Sequence, residues 1–298
     1  MINRFRMGIN MRKSIVLCVI TNIMFLTGCG RILDMPVGIQ ETMQMGVVSD
    51  EDYPYEVTRN DYNTLETDAI EISLDNLIES VEGVYTYDGE HLTISAAGDY
   101  ILTGDMDSGN LIVNAYDDEV VHLFLNNVEI SSGNGFAIYV ENAGKVIITL
   151  MEGTENILSD GHAYTEMQKA CIFSNADLTI NGNGKLYIYG YYADGVRSKD
   201  RLKLINTNIY VKSKKDGLRG NDAVILLDSI TEIECEGTGI LSNSDDDMVI
   251  LQGGSCKIIA GQNAISSNRY VSVHDCLTDL YSILETVKCS GHLDISEY

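Results

Sequence analysis

From about residue 70 onward, short apolar runs alternate with Gly, Asn and Asp turns. No window of about 12 residues or more shows the 3.6-residue period of an amphipathic helix. The pattern therefore predicts short β-strands joined by tight turns. The clearest runs are 92–94 (LTI), 111–113 (LIV), 120–125 (VVHLFL), 146–150 (VIITL), 178–180 (LTI), 186–189 (LYIY), 202–204 (LKL) and 209–211 (IYV).

An internal repeat gives these strands a common frame. Residues 193–200 (ADGVRSKD) recur 22 residues later as 215–222 (KDGLRGND). Weaker copies are 169–174 (KACIFS), 237–242 (GTGILS) and 262–266 (QNAIS), whereas the tail from Val271 keeps the repeat poorly. A unit of this length cannot bury its apolar face alone, so the repeats must stack on one another.

A parallel β-helix fits this stacking best. Leucine-rich repeats have a similar length, but their Leu/Asn consensus is missing, and a β-sandwich would show hairpin signals. The residues from Ile70 to the end allow roughly ten coils of about 22 residues, stacked about 4.8 Å apart. The main long insertion, 152–169 (EGTENILSDGHAYTEMQK), is expected to be one loop.

The start of the chain has the features of an export signal. Basic residues up to Lys13 precede a 13-residue apolar stretch, 14–26, which ends in Leu-Thr-Gly-Cys29. The stretch is short for a membrane span and typical of a signal peptide, and the ending resembles a bacterial lipobox. We predict a signal peptide over 1–28, lipidation of Cys29, a flexible acidic tether over 29–68 and the β-helix over 69–298. An ordinary secretory signal and a short membrane anchor are the alternatives.

Charge and cysteine content narrow the function further. The chain has 20 basic and 44 acidic residues, and a surface so acidic repels nucleic acid. Cys171, Cys235, Cys256, Cys276 and Cys289 follow the lipobox without any CxxC pair, which disfavours zinc and indicates mainly buried free thiols. The five histidines do not cluster, and no GxSxG, Walker loop or HExxH motif occurs.

An ordered series of motifs runs over about residues 83 to 266. The motifs are 98–104 (GDYILTG), 126–130 (NNVEI), 137–140 (AIYV), 145–150 (KVIITL), 152–156 (EGTEN), 172–174 (IFS), 177–182 (DLTING) and 194–200 (DGVRSKD). Together they resemble a family of secreted clostridial carbohydrate-binding β-helix proteins, related in fold to pectate lyases. The resemblance implies an all-β, single-stranded, right-handed parallel β-helix that binds calcium and acidic sugars such as polygalacturonate, and sometimes cellulose.

The repeat would place acidic residues directly above one another. Asp194 would neighbour Asp216, and Asp200 would neighbour Asp222. Like charges in register are unfavourable, and a Ca²⁺ ion with carboxylate and carbonyl ligands would reverse that. These four aspartates are therefore the candidate metal ligands. The alternative is that Asp-Gly is simply a good turn dipeptide whose carboxylates face water.

Basic residues concentrate in the same part of the chain. The 35 residues from Lys185 to Arg219 contain nine Lys or Arg and three Asp. Arg197 and Arg219 share a register in the repeat. Stacked guanidinium groups can form paired hydrogen bonds with the carboxylates of a linear polyuronate. Lys199, Tyr191 and Tyr192 complete the candidate ligand-binding residues. The alternative is a solvated basic face that balances neighbouring acidic coils.

These observations predict a cell-surface lipoprotein, monomeric and held on the extracellular face of the bacterial membrane, that binds acidic polysaccharide on a calcium-bearing β-helix. The tight coils leave few loops to wall a shielded cleft, which favours a binding module over an enzyme. A calcium-dependent polysaccharide lyase is the enzymatic alternative, because the fold hosts both activities. A structural surface spacer or an adhesin is the third possibility.

Overall fold

The computed structural model describes Val57, Asp61 and residues 68–77, 80–162 and 170–296, together with the backbone of Asn3–Phe5. These residues form strands almost throughout, apart from a 3₁₀ turn at Leu74–Asn76. The strands are β1 (Asn3–Phe5), β2 (Ile70–Ser73), β3 (Tyr85–Tyr87), β4 (His91–Ile94), β5 (Gly98–Asp107), β6 (Asn110–Asn114), β7 (Val120–Ser131), β8 (Ile138–Asn142), β9 (Lys145–Leu150), β10 (Glu155–Ser159), β11 (Ala170–Ser174), β12 (Asp177–Asn181), β13 (Lys185–Gly190), β14 (Asp194–Ser198), β15 (Arg201–Ile205), β16 (Asn208–Ser213), β17 (Leu218–Gly220), β18 (Ala223–Leu227), β19 (Ile230–Cys235), β20 (Ile240–Ser242), β21 (Met248–Gln252), β22 (Ser255–Ala260), β23 (Ile265–Ser267), β24 (Tyr270–His274), β25 (Leu277–Ser282), β26 (Val287–Cys289) and β27 (His292–Ile295).

The strands stack in three parallel ladders, so the fold is a right-handed parallel β-helix, as the sequence predicts. Ladder 1 runs through β2, the first half of β5, the first half of β7, and then β9, β12, β15, β18, β21, β24 and β27. Ladder 2 runs through the second halves of β5 and β7 and then β10, β13, β16, β19, β22 and β25, with β1 antiparallel on β25. Ladder 3 runs through β4, β6, β8, β11, β14, β17, β20, β23 and β26, with β3 antiparallel on β4.

The sequence repeat and the stacking register agree residue by residue. Each copy of the repeat contributes one inward apolar side chain to ladder 3. The solenoid has about eight complete turns of about 24 residues, with an incomplete turn at each end, rather than roughly ten of 22, because several early coils are longer than the repeat. The inward column is Ile172, Val196, Leu218, Ile240, Ile265 and Val287.

One expectation about an irregular region is wrong, and one stretch with a weak repeat still folds as part of the solenoid. The tail from Val271 continues all three ladders, because its inward positions stay apolar while its turn residues change. The insertion 152–169 is not a single loop, since β10 forms from Glu155–Ser159 and joins ladder 2. Asn156 helps to fix this strand by accepting the backbone N–H of Val128 at 2.9 Å.

Glycine has a steric role in the Asp-Gly repeat. Gly195, Gly217 and Gly239 stack in successive coils, and none of them has a positive φ. A Cβ on Gly217 would lie 2.6 Å from the carbonyl oxygen of Gly239 and 2.4 Å from the Ile233 side chain. Close approach of neighbouring coils therefore excludes a side chain here.

The predicted signal peptide and lipidated Cys29 lie outside the described residues, apart from strand β1, and stay predictions. The described residues belong to one compact unit formed by Met1–Met7 and Arg59–Tyr298, except Val57, which belongs to a unit over Gly8–Thr58. Asp61 falls within the predicted tether, yet it is fully buried against the solenoid. In the described part of the chain, no helix is long and apolar enough to cross a membrane.

The cysteines match the interpretation of free thiols. All five cysteines after the lipobox are unpaired. Cys171 and Cys256 lie in the core, and burial raises the pKa of both thiols well above the ordinary value. These two cysteines therefore act as small apolar side chains.

Gly217→Ala should lower the free energy of unfolding by about 1 to 3 kcal/mol, because the new methyl group overpacks the contact between coils. Ala264 follows Asn263 at the equivalent position two coils later, so Ala264→Gly is the matched control and should cost at most about 1 kcal/mol. Chemical denaturation of both variants checks this expectation. Equal stability of Gly217→Ala and the parent protein would contradict the steric account.

Candidate functional site

An outward-facing column on ladder 3 carries the predicted arginines. Arg197 of β14 and Arg219 of β17 are direct register partners, one coil apart. Phe173 of β11 precedes Arg197 in the same column, and Leu241 of β20 follows Arg219. The structure therefore brings the two predicted arginines together on one face.

Each arginine lies beside an aspartate from the start of its own repeat. Arg219 Nη1 lies 3.3 Å from Asp216 Oδ2, and Arg197 Nη1 lies 3.9 Å from Asp194 Oδ2. The arginine side chains are 22% and 31% exposed, so part of each guanidinium faces solvent. Burial, together with the neighbouring Arg219, lowers the pKa of Arg197. Each guanidinium is therefore partly desolvated, close to a carboxylate and still partly exposed.

The aspartates also hold the coils in register. Asp194 Oδ1 accepts the backbone N–H of Asp216 at 3.1 Å, and Asp216 Oδ1 accepts the N–H of Thr238 at 2.9 Å. Further along, Asn263 Oδ1 accepts the N–H of Glu285 at 3.2 Å. An Asp or Asn at this position thus caps the equivalent position of the next coil, a role that the sequence alone did not indicate.

These contacts bear on the predicted calcium site. At Asp194 and Asp216, backbone N–H groups and arginines already occupy the carboxylates, so this pair does not suit a cation. Asp200 and Asp222 lie on successive coils, where burial and repulsion from Asp177 and Asp222 raise the pKa of Asp200. Among the described residues, no group of three or more His, Cys, Asp or Glu is arranged to hold a metal. Calcium at the second pair would need carbonyl and water ligands as well.

Aromatic rings extend the arginine column on one side, and sequence reasoning missed them. Phe136, Tyr139 and Phe173 form a chain with centroid separations of 5.0 and 5.9 Å. The Arg197 guanidinium and the Lys199 ammonium each lie 5.8 Å from the Phe173 ring centre. The sequence motifs 137–140 (AIYV) and 172–174 (IFS) already contained two of these rings. Tyr139 and Phe173 share a register with Arg197.

Tyr191 and Tyr192 lie at a corner of the solenoid, in the turn between β13 and β14. Tyr191 is 51% exposed and stacks on Tyr189 of ladder 2, with ring centroids 5.9 Å apart. Lys214 and Lys215 occupy the equivalent turn of the next coil, bonded to Gly190 and Ala193. The two tyrosines therefore flank the corner beside the arginines and do not stand in the arginine column itself.

An open cleft of about 420 Å³ lies at this corner. Its walls carry both signs of charge, since Arg197, Arg219 and two lysines face Asp194, Asp216 and Glu236. Such a shallow, polar cleft suits an extended, charged ligand better than a small apolar one. The lining residues are Asp194, Arg197, Lys214, Lys215, Asp216, Arg219, Glu236, Gly237 and Gln262.

Several other basic residues of the 185–219 stretch pair with acids of adjacent coils. These pairs fit the alternative interpretation, in which a basic face balances acidic neighbours. Arg197 and Arg219 differ because their acids come from their own strand or the turn before it, not from a neighbouring coil. The inter-coil pairs are Lys185–Glu155 (2.7 Å), Arg201–Asp177 (2.9 Å), Lys212–Glu234 (3.2 Å) and Lys214–Glu236.

Comparison with known proteins gives one consistent result. Residues 88–288 match the family model described as "Carbohydrate-binding domain-containing protein". A protein of that description from Acetivibrio thermocellus is 30% identical over 97% of both chains. A solved structure of a polysaccharide lyase-like protein from C. thermocellum, a gadolinium derivative, superposes with a TM-score of 0.72 at 29% identity, covering 77% of this chain and 96% of that one.

Asp194 should make stability depend on pH. Burial, then repulsion from Asp216, raises its pKa from 3.8 to about 6. Between about pH 4 and 6 the folded state therefore binds more protons than the unfolded state, and its stability falls as the pH rises. Asp194→Asn keeps an oxygen that accepts the N–H but has no carboxyl group to titrate. The free energy of unfolding of this variant, relative to that of the parent, should therefore increase by on the order of 2 kcal/mol as the pH rises through that window. Denaturation from pH 4 to 7 measures the difference, and a constant difference would contradict the assignment.

Proposed function

Because this chain belongs to the family of carbohydrate-binding domain-containing proteins, we propose that it binds an acidic polysaccharide along the outward face of ladder 3. The arginine column formed by Arg197 and Arg219 receives uronate carboxylates. Lys199 and the corner tyrosines Tyr191 and Tyr192 border the bound chain. The observation that carries the proposal is the direct register pairing of two arginines on an open face of a very acidic protein.

Electrostatics support a carboxylate ligand at this column. Two guanidinium groups one coil apart repel each other, and burial together with this repulsion lowers the pKa of Arg197 against the opposing effect of Asp194 and Asp216. A ligand carboxylate would relieve the repulsion and accept paired N–H bonds from the planar guanidinium. A neutral sugar would offer neither gain.

The aromatic chain supports a sugar polymer over an isolated acid. Phe136, Tyr139 and Phe173 continue the same face across neighbouring coils. Phe136 and Phe173 are only 8% and 4% exposed, so half-buried Tyr139 is the ring of this chain that can offer a face to a sugar. A partly exposed ring beside the arginines therefore suits a polymer that carries both pyranose faces and carboxylates.

A polysaccharide lyase is the second candidate, and one observation favours it. Burial lowers the pKa of Arg197, which is the direction of shift needed by a base that takes the proton beside a uronate carboxylate. The solved structural neighbour is itself called polysaccharide lyase-like. Lyase action would produce an unsaturated product that absorbs ultraviolet light, whereas a binding module would leave the polymer intact.

The proposal includes the predicted location at the cell surface. Lipid on Cys29 would hold the protein on the outer face of the membrane, where polysaccharide is accessible. This part of the proposal rests on the lipobox and the preceding apolar stretch.

The double variant Arg197→Ala/Arg219→Ala should weaken binding to polygalacturonate at least about tenfold, because charge-assisted hydrogen bonds contribute about 1.5 to 3 kcal/mol each. Lys185→Ala/Lys212→Ala on ladder 2 is the matched control, since it removes the same charge from residues that pair with glutamates. Co-precipitation with polygalacturonate and with a neutral polymer, combined with ultraviolet absorbance, measures binding and cleavage together. Unchanged affinity in a folded arginine variant would rule out the column as the ligand site.

Calcium should raise the melting temperature if it binds Asp200 and Asp222, because a ligand specific to the folded state stabilises that state. Asp200→Asn/Asp222→Asn should melt at the same temperature in chelator and in millimolar calcium. Asp194→Asn should keep the calcium response, because that carboxylate already caps the next coil. Identical melting of the parent protein in chelator and in calcium would remove calcium from the proposal.

A further inference from the structure

A carboxylate from the segment before the solenoid lies fully buried on the outside of ladder 1. Asp61 has no exposed surface. Its Oδ1 accepts bonds from Thr179 Oγ1 at 2.8 Å and from Lys145 Nζ, and its Oδ2 lies 3.1 Å from Lys203 Nζ. Its backbone carbonyl accepts a bond from Asn181 Nδ2 at 2.7 Å. Among the described residues, the carboxylate thus has three side-chain donors and the backbone carbonyl has one.

The donors stand on three consecutive strands of the solenoid. Lys145 begins β9, Thr179 and Asn181 lie on β12, and Lys203 lies on β15, where it is the register partner of Thr179. Because stacked strands fix these positions, the donors converge without help from Asp61. The arrangement is therefore preorganised for a carboxylate.

The four donors Lys145, Thr179, Asn181 and Lys203 form a cradle around the carboxylate. The charge balance of this cradle depends on an anion. Lys203 is only 5% exposed, and burial lowers its pKa while Asp61 opposes that shift. Lys145 also acts to lower the pKa of Lys203, since the two ammonium groups face the same carboxylate. Without an anion, two neighbouring cations would be poorly solvated, and such a site attracts a negative ligand.

We propose that Lys145, Thr179, Asn181 and Lys203 form a carboxylate-binding site, separate from the arginine column, for which Asp61 is the ligand supplied by the chain itself. The site accepts the carboxylate as such, whether it comes from Asp61 or from a free acid. The contact of Asp61 with the middle of ladder 1 therefore depends on an anion that another carboxylate can replace. The inference does not depend on the proposed function.

Acetate can test the site directly, because it supplies the CH₂–COO⁻ group that Asp61→Gly removes. All proteins in the test carry Arg197→Ala and Arg219→Ala, so the proposed polysaccharide site cannot produce the signal. Asp61→Gly should lower the melting temperature by about 6 to 12 °C, as expected for one removed partner of a buried ion pair. Sodium acetate should restore much of that loss in a saturable manner, whereas sodium chloride at the same ionic strength should not.

Three controls give the test its specificity. The parent with Asp61 should show no acetate response beyond that of chloride, and neither should Asp177→Gly, which removes an acid from the more exposed pair with Arg201. Asp61→Gly combined with Lys203→Met should lose the acetate response, because one donor is gone while the apolar stem is kept. Galacturonate in place of acetate shows whether the site also binds sugar acids. A rise in melting temperature similar to that with acetate would show that it does. No rise would limit the ligand to Asp61 and small acids.

Equal effects of acetate and chloride on a folded Asp61→Gly protein would overturn the proposal. If Asp61→Gly does not fold, Asp61→Asn keeps the side-chain shape and removes only the charge. That variant should melt well below the parent and should not respond to acetate, because its amide fills the cradle. A melting temperature equal to that of the parent would show that the cradle does not require an anion, and would also overturn the proposal.

Discussion

The hydrogen bonds between successive coils fix the whole arrangement. In a parallel ladder each residue lies beside its counterpart one coil away, at a spacing of about 4.8 Å. A residue type that recurs in successive repeats therefore forms a column along the solenoid. The stacked glycines, the aspartates that cap the next coil and the paired arginines all follow from this one constraint.

The same constraint makes repeated charge costly, and the protein compensates for it in several ways. Along ladder 2, lysines pair with glutamates of the adjacent coil. On ladder 3, each arginine has an aspartate of its own repeat, and that aspartate is itself bonded to a backbone N–H. On ladder 1, one carboxylate from outside the coils balances two lysines. The arginine column is the least compensated of these arrangements on an open face, which is why we assign it the ligand.

The sequence predicted the architecture well because the inward positions repeat in both type and spacing. The spacing of Ile172, Val196 and Leu218 can be read from the sequence repeat, and these residues are register partners in ladder 3. The number of coils was overestimated because it was calculated from the 22-residue repeat, and several early coils are longer than that repeat. Strand β10 was missed because its short run, 156–158 (NIL), follows Glu-Gly-Thr turn residues.

The candidate site was predictable only in part. The register of Arg197 and Arg219 follows directly from the repeat, whereas Phe173 and Tyr139 share that register through coils of different length. The capping by Asp194 and the burial of Asp61 depend on contacts between distant segments, which no local pattern encodes. Asp61 lies in an acidic, polar stretch whose composition indicated a flexible tether, yet the two lysines that hold it are more than 80 residues away.

The most direct test of the central claim is a crystal structure of the protein with a short galacturonate oligosaccharide. The account predicts sugar along the outward face of ladder 3, with a carboxylate within hydrogen-bond distance of the Arg197 or Arg219 guanidinium and a sugar ring against Tyr139. An oligosaccharide bound on ladder 2, away from both arginines, would contradict it.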